Sequence, residues 1–423
     1  MSELGMPTQF EFTELTLNGE NALQIFMNIE IFENIFLGGI TGSISIFDTD
    51  SLQFIDRNGI EFIEEISFSF KNAYGDELKF KGLMNGLRDE IIGKQNKTYI
   101  IDFTSKAVRN NEMNFISRAF KNVKPEDVIQ DMTKIITGGE TEIDMGSAAQ
   151  KGLPLTWVAG NRKPLDVIKY VVNHAVTDGK VDGGKEEKGQ TSGTGGYLYW
   201  ETMKGHRFCT MDSLVKDQPY EYHEDYGTRV QNITGQSLDH KMKAIVDYQF
   251  PKVGDLFEKL RSGAFSSTLT SFNLDTGIFT EFNFTADDTT ATKKQQEAVK
   301  GVTRKLNRMF TNEKFEKECK RAQEDTGDQS RKYLQQTITG QNTFCDKEGR
   351  ITLPPQFNIN AGDCIDVTID KLNLSEQDSS EYQPKYSGKY LISQVGHHIF
   401  RDGNAYTKLS VIRTTTQQDD QSS

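Results

Sequence analysis

The stretch 388-GKYLISQVGHHIFRDGNAYTKLSVIR-413 alternates apolar and polar residues on both sides of the polar segment RDGNA. That is the period of two half-buried strands joined as a hairpin. An earlier stretch, 83-LMNGLRDEIIGKQNKTYIIDFTS-105, has the same shape, and it aligns without a gap when residue 83 is set against residue 391. Leu83 then matches Leu391, Leu87 matches Val395 and Ile91 matches Ile399. Ile101 matches Leu409 and Phe103 matches Val411, while the polar loops GKQNK and RDGNA fall opposite each other. Only three positions are identical, so the shared property is the apolar pattern rather than the residues. The repeat predicts two related β domains, each closed by such a hairpin.

His397 and His398 stand where the first copy has Asp89 and Glu90. Neighbours along a strand point to opposite faces, so the two rings are poorly placed to share one ion. His397 falls on the face of Val395 and Ile399 and reads as a core histidine; His398 reads as lying on the polar face. No partner stands at metal-ligand spacing, and no metal or cofactor is expected.

The rest of the chain divides around these hairpins. Residues 10 to 105 carry strand text: 23-LQIFMNIEIF-32, 43-SISIF-47 and 62-FIEEISFSF-70, with Asn18-Gly19 as a hairpin turn. Residues 1–105 are therefore expected to form one β domain. A small α+β domain is expected over 106–222. Within it, 125-PEDVIQDMTKII-136 and 164-PLDVIKYVVNHAV-176 each begin with Pro and early acids, and the first is followed by Gly138-Gly139. The glycine-rich, charged segment 178–196 reads as a mobile loop, and 197-YLYWETMKGHRFCTMD-212 as a hairpin turning at Lys204-Gly205. Residues 223–258 and 341–413 are assigned to the second β domain. Residues 259–340 then form an inserted segment, β-like at first and polar and helix-prone from about 290 to 337. The last ten residues, TTTQQDDQSS, read as a disordered tail over 414–423. The fold class is α+β, mainly β.

Composition narrows the function. The 423 residues are 35% hydrophobic and 26% charged, a soluble globular balance. The formal net charge of −12 gives no overall basic footprint for nucleic acid. Four scattered cysteines, Cys209, Cys319, Cys345 and Cys364, form neither a C-x-x-C pair nor a disulfide framework, and read as reduced structural thiols. MSELGMPTQF lacks a signal-peptide pattern, and no apolar run approaches the roughly 20 residues that span a bilayer. Neither a G-x-S-x-G elbow nor an H-E-x-x-H motif occurs, so no enzyme is expected.

The terminal hairpin, Val395-Gly396-His397-His398-Ile399 returning through Leu409 and Val411, resembles the closing hairpin of hub proteins of phage tails and related injection systems. Residues 42–70 resemble that family's first tube domain, and 260-LRSGAFSSTLTSFN-273 is similar to a segment of hubs from T-even-like contractile phages. The order of domains agrees over nearly the whole chain; the segments 178–196 and 290–337 depart from it. The resemblance implies two tube-type β-barrel domains per chain and a homotrimer. Three chains then present six domains around a channel that DNA traverses without specific binding. Expected partners are a trimeric cell-puncturing spike, the tail tube or its initiator, and other baseplate proteins, with no membrane insertion. The expected place is the tail baseplate of a virion assembled in host cytoplasm. The rival reading is another β-rich virion interaction protein, a decoration or receptor-binding module. The candidate channel-rim or ring-hairpin positions are Leu83, Leu87, Ile91, Tyr99, Ile101, Phe103, Leu391, Val395, His397, Ile399, Leu409 and Val411, with acidic or neutral groups expected along the lining.

Overall fold

A computed structural model describes residues 6–139, 143–146, 152–177, 196–216, 221–228, 238–253, 256–263, 266–274, 277, 279–285, 304–310, 347–370, 382–383 and 385–413. The chain opens with strands β1 (Phe10–Leu17), β2 (Glu20–Asn21), β3 (Phe26–Asn34) and β4 (Thr41–Thr49). Helix α1 (Phe54–Asn58) follows, then β5 (Glu65–Asn72), β6 (Glu77–Ile92) and β7 (Asn96–Thr104). The middle region holds α2 (Lys106–Met113), β8 (Ile116–Val123), α3 (Pro125–Thr137), β9 (Ile143–Met145) and β10 (Leu155–Arg162). It continues through α4 (Pro164–His174), β11 (Tyr197–Thr202), β12 (Gly205–Thr210) and α5 (Met211–Lys216). Next come β13 (Tyr222–Gly227), α6 (Leu238–Met242), β14 (Asp247–Val253), α7 (Leu256–Ser262), β15 (Ser266–Asn273), β16 (Phe279–Thr285) and β17 (Arg304–Phe310). Strands β18 (Lys347–Leu353), β19 (Cys364–Thr368), β20 (Gly388–Phe400) and β21 (Ala405–Arg413) complete it.

Local chemistry explains most of these boundaries. Asn18 and Gly19 both take positive φ, 54° and 80°, which is what a two-residue hairpin turn requires after β1. Helices α3 and α4 both start at a proline, whose missing N–H costs nothing in the first turn. Gly138 closes α3 in the left-handed region at φ 76°. Residues Phe54–Asn58 form the short helix α1, whose cap Gly59 is left-handed. The polar stretch from 290 departs from expectation where it is described: Arg304–Phe310 is a strand paired in parallel with β15, not a helix. Pairing with a neighbouring strand overrides weak local helix propensity. The expected loop 178–196, apart from Gly196, and the tail 414–423 lie outside the described residues.

Thirteen strands form one sheet. Its main path runs β14-β18-β21-β20-β3-β4-β7-β6-β5-β1-β2, with β19 also on β20 and β13 on β19. The path contains one arrangement twice. The first unit orders its strands β3-β4-β7-β6-β5-β1, and the second orders them β14-β18-β21-β20-β19-β13. Matching them place by place pairs β1 with β13, β3 with β14, β4 with β18, β5 with β19, β6 with β20 and β7 with β21, so chain order is kept throughout. One place differs: β1 lies antiparallel to β5, whereas β13 lies parallel to β19.

The first unit's hydrogen-bonded path stays open, but the sheet curls until its ends touch. The ring of Phe12 on β1 lies 5.0 Å from that of Phe26 on β3. Inside this curl is a core of Leu15, Leu17, Phe68, Phe70, Ile44, Ile46, Ile101 and Phe103. The second unit encloses its own core, including Ile351, Ile365, Tyr390, Val395 and Leu409. A third core lies in the middle region, where α3 and α4 pack with β8, β10, β11 and β12 through Val128, Met132, Val167, Val171 and Phe208. Strands β15, β16 and β17 form a separate three-stranded sheet. The fold is thus β-rich α+β, and no helix among the described residues is long and apolar enough to cross a membrane.

Candidate functional site

The two quoted hairpins correspond in backbone pairing as well as in sequence. In β6–β7, Leu83 faces Thr104, Met84 faces Phe103, Gly86 faces Asp102 and Leu87 faces Ile101. In β20–β21, Leu391 faces Ile412, Ile392 faces Val411, Gln394 faces Ser410 and Val395 faces Leu409. Each of these four pairs is carried into the other by the same shift of 308 positions, and both strands bulge at the corresponding step, Met84/Gly86 and Ile392/Gln394. A bulge inserts an extra residue and turns the strand, so sharing one fixes both register and bend.

Most of the twelve candidate rim side chains lie in the cores. Tyr99, Ile101, Phe103, Leu391, Val395, His397, Ile399, Leu409 and Val411 are all buried. Leu83 and Leu87 are half-buried, and Ile91 is exposed. Strand alternation is the reason: residues that make a hairpin recognisable by apolar period are the ones its own core needs. The nine buried side chains therefore cannot line a channel, and the opposite face of the same strands is the one open to solvent.

On that face a row crosses six strands through directly opposed residues: Gly86, Asp102, Ser43, Glu30, His398 and Tyr406. Arg88 donates from Nε to both oxygens of Asp102, at 3.0 and 2.9 Å, and from Nη1 to Asp89 at 3.0 Å. Ser45, Asn28, Gln394 and Ser410 are half-buried neighbours, and Lys408 and Arg350 are exposed. The face is polar with mixed charge, not acidic throughout.

The histidines take different partners. His397 Nδ1 lies 3.1 Å from Thr407 Oγ1, and burial pushes its pKa down to about 3, helped by neighbouring His398. His398 Nδ1 lies 3.1 Å from Glu30 Oε1, with the Phe32 ring edge-on at 5.7 Å. Burial also lowers the pKa of His398, against the pull of Glu30. His398 faces the polar side as expected but is buried there, because β3 pairs alongside it.

The sequence reading missed a buried ionic junction. Its centre is Asp363, whose Oδ1 accepts from Arg207 Nη1 at 3.1 Å and whose Oδ2 accepts from the Asn360 N–H at 2.9 Å. His223 Nε2 lies 3.4 Å from Oδ2. Burial pushes the Asp363 carboxyl up, but His223, Arg207 and the Asn360 N–H outweigh it and hold it below the usual range. Arg207 also donates to the Ala361 carbonyl, as does Trp200 Nε1 at 2.9 Å. From the first unit, Glu33 reaches the same place. Its two oxygens accept the N–H groups of Met203, at 2.7 Å, and Ala361, at 2.9 Å, and burial pushes its pKa up to about 7. Strand β3, the β11–β12 turn and the 359–363 loop are thereby tied together.

Among the described residues, Glu221, His223 and Asp363 are grouped closely enough to hold a metal, with ligand atoms within 4.8 Å of one another. Competing partners occupy these groups: Arg207 and Asn360 hold Asp363, and Lys204 Nζ donates to Glu221 at 2.8 Å. The arrangement is that of an ion-paired structural junction. Asp363 is separated by well over a hundred residues from Arg207 and His223, so no local motif announces it.

No protein-family model and no curated protein sequence matches the chain. Solved structures do. A tail protein from Neisseria meningitidis MC58 superposes with a TM-score of 0.52 at 7% identity, covering 97% of this chain and 99% of that one. The 43 kDa tail protein of prophage MuSo2 from Shewanella oneidensis matches with a TM-score of 0.49 at 9% identity, over 96% and 97% of the two chains. The first of these shows a shared fold along nearly the whole length.

Proposed function

We propose that this chain is a structural component of a phage-type tail, and specifically the hub ring at the base of a contractile tail. Residues 1–105 form one wall unit; residues 223–258 and 341–413 form the other. Three chains in a closed ring offer six similar units to a sixfold tail tube and three identical faces to a trimeric spike. A closed cyclic assembly of a duplicated chain provides that change of symmetry without a second protein. The observation that carries this reading is the repeated six-strand order, joined edge to edge where β3 pairs with β20. The fold shared with the Neisseria tail protein supports it.

In this ring the polar face through Asp102, Ser43, Glu30 and His398 lines the channel. Arg88 is held by Asp102 and Asp89, which reduces its pull on passing phosphates. No step of chemistry is assigned to the chain; its work is to hold a wall and release a spike. The test is the solution mass by light scattering over a range of concentrations. A particle of about three times the 47.8 kDa chain is expected, as closed threefold symmetry requires. A chain that stays single even with the spike protein of its own virion overturns the reading.

A further inference from the structure

Two strand segments are exposed in a way that their counterparts in the repeat are not. The end of β6, Arg88 to Ile92, is exposed at five consecutive positions, so both faces meet solvent. Ile91 and Ile92 are 69% and 68% exposed. The start of β14 behaves alike: Val246, Asp247, Tyr248 and Gln249 are all exposed. Their counterparts are the end of β20, where Ile399 is fully buried, and β3, where Ile29 is fully buried. The cause of the difference is visible in the pairing. Residues Gln394 to Phe400 of β20 pair with Asn28 to Asn34 of β3, and this is the joint between the two units. The matching edge of β6 beyond Leu83 and the outer edge of β14 have no strand beside them among the described residues.

We infer that these two edges pair with each other between neighbouring copies of the chain, β14 of one copy antiparallel to the end of β6 of the next. The joint inside the chain is the template for the joint between chains. The inference rests on the ring reading above and says where the ring closes. Six joints then run around the wall, alternately within and between chains, and neither of these two edges is left open. Unpaired apolar edges are otherwise an aggregation liability. Pro251, which has no N–H to give, sits where β14 bulges between Gln249 and Lys252, so the pairing belongs to the first half of β14.

The correspondence also gives a register. A second bulge in β6, between Arg88 and Ile91, moves the structural match one residue away from the sequence alignment: across β7, Thr98 and Lys97 match Tyr406 and Ala405, so Ile91 and Ile92 match His398 and Ile399. Across β4 and β18, Ser43 and Ile44 match Arg350 and Ile351, so Gln249 and Tyr248 match Glu30 and Ile29. Ile92 therefore faces Tyr248 of the neighbouring copy, and Ile91 faces its Gln249.

The test uses two full-length variants, Ile92→Cys and Tyr248→Cys, each alone and co-assembled, under mild oxidation. Directly opposed residues in an antiparallel pair lie within disulfide reach. A two-chain band that appears only in the mixture, and a ladder ending at three chains when one chain carries both changes, is the expected result. Because both positions are exposed, folding is not at stake, and the unchanged chain controls for its own cysteines. A particle of three-chain mass that gives no bond from this pair or from Ile91→Cys with Tyr248→Cys overturns the joint and leaves the ring standing. A chain that stays single even with the spike protein of its own virion overturns both.

Discussion

Asp363 keeps its charge in a fully buried position because Arg207, His223 and the Asn360 N–H surround it. Asp363→Ala should cost about 3–5 kcal/mol, since it strands the Arg207 charge in the interior; urea titration measures the loss. Burial also sets a pH dependence with two signs. Glu33 and Glu201 are both pushed up to about 7 by burial, above the usual 4.5, so they bind protons more readily folded than unfolded. Their contribution is full below 4.5 and is lost as the pH rises toward 7, at up to about 1.4 kcal/mol per unit for each group. His206 and His397, pushed down to about 4 and about 3, act oppositely: their contribution is present above 6.5 and lost as the pH falls. Stability should pass through a broad maximum between these arms. In Glu33→Gln the loss between pH 5 and pH 7 should be smaller than in the parent chain, as paired urea titrations at the two values would read. None of this network was legible in the sequence, because its members come from strands and loops far apart along the chain.

At the scale of elements, the β11–β12 hairpin holds the three cores together. Tyr197, Tyr199 and Phe208 enter the core of the middle region, while Trp200, Leu198 and Cys209 enter that of the second unit. Glu201 ties the hairpin to the first unit by accepting from the Ile40 N–H and the Ser105 hydroxyl. Gly362 makes the close approach possible. Its φ is +91°, and a Cβ there would lie 2.5 Å from the Trp200 ring. Gly362→Ala should therefore lower stability by about 1–3 kcal/mol through overpacking and strain, visible as a lower thermal midpoint and altered tryptophan fluorescence. The hairpin itself was legible from its alternating residues, as were α3 and α4 from their leading prolines and early acids. Its role was not, because both faces are buried and alternation does not say which core each face serves. Strand β17 was hidden for a different reason: its charged residues read as helix surface until β15 is placed beside them.

Across the whole molecule, the weak resemblance between two hairpins was the most informative feature of the sequence. Hydrophobic period survives where identity does not, because the pleat constrains polarity more tightly than it constrains residue type. The edge-to-edge joint was not legible, since pairing of β3 with β20 leaves no local trace in either strand. That joint should make the two units unfold together: circular dichroism and the fluorescence of Trp200 should report one coincident urea transition, and two separate midpoints would show that each unit stands alone. The duplication is also unequal. Between β14 and β18 the chain carries the three-stranded sheet β15–β17, whereas between the matching strands β3 and β4 it makes only a short connection. In a ring of three chains this asymmetry would mark every second wall unit with an outgrowth. A sixfold partner stacked on the wall would then meet alternating decorated and bare neighbours, so its six identical subunits would sit in two alternating environments.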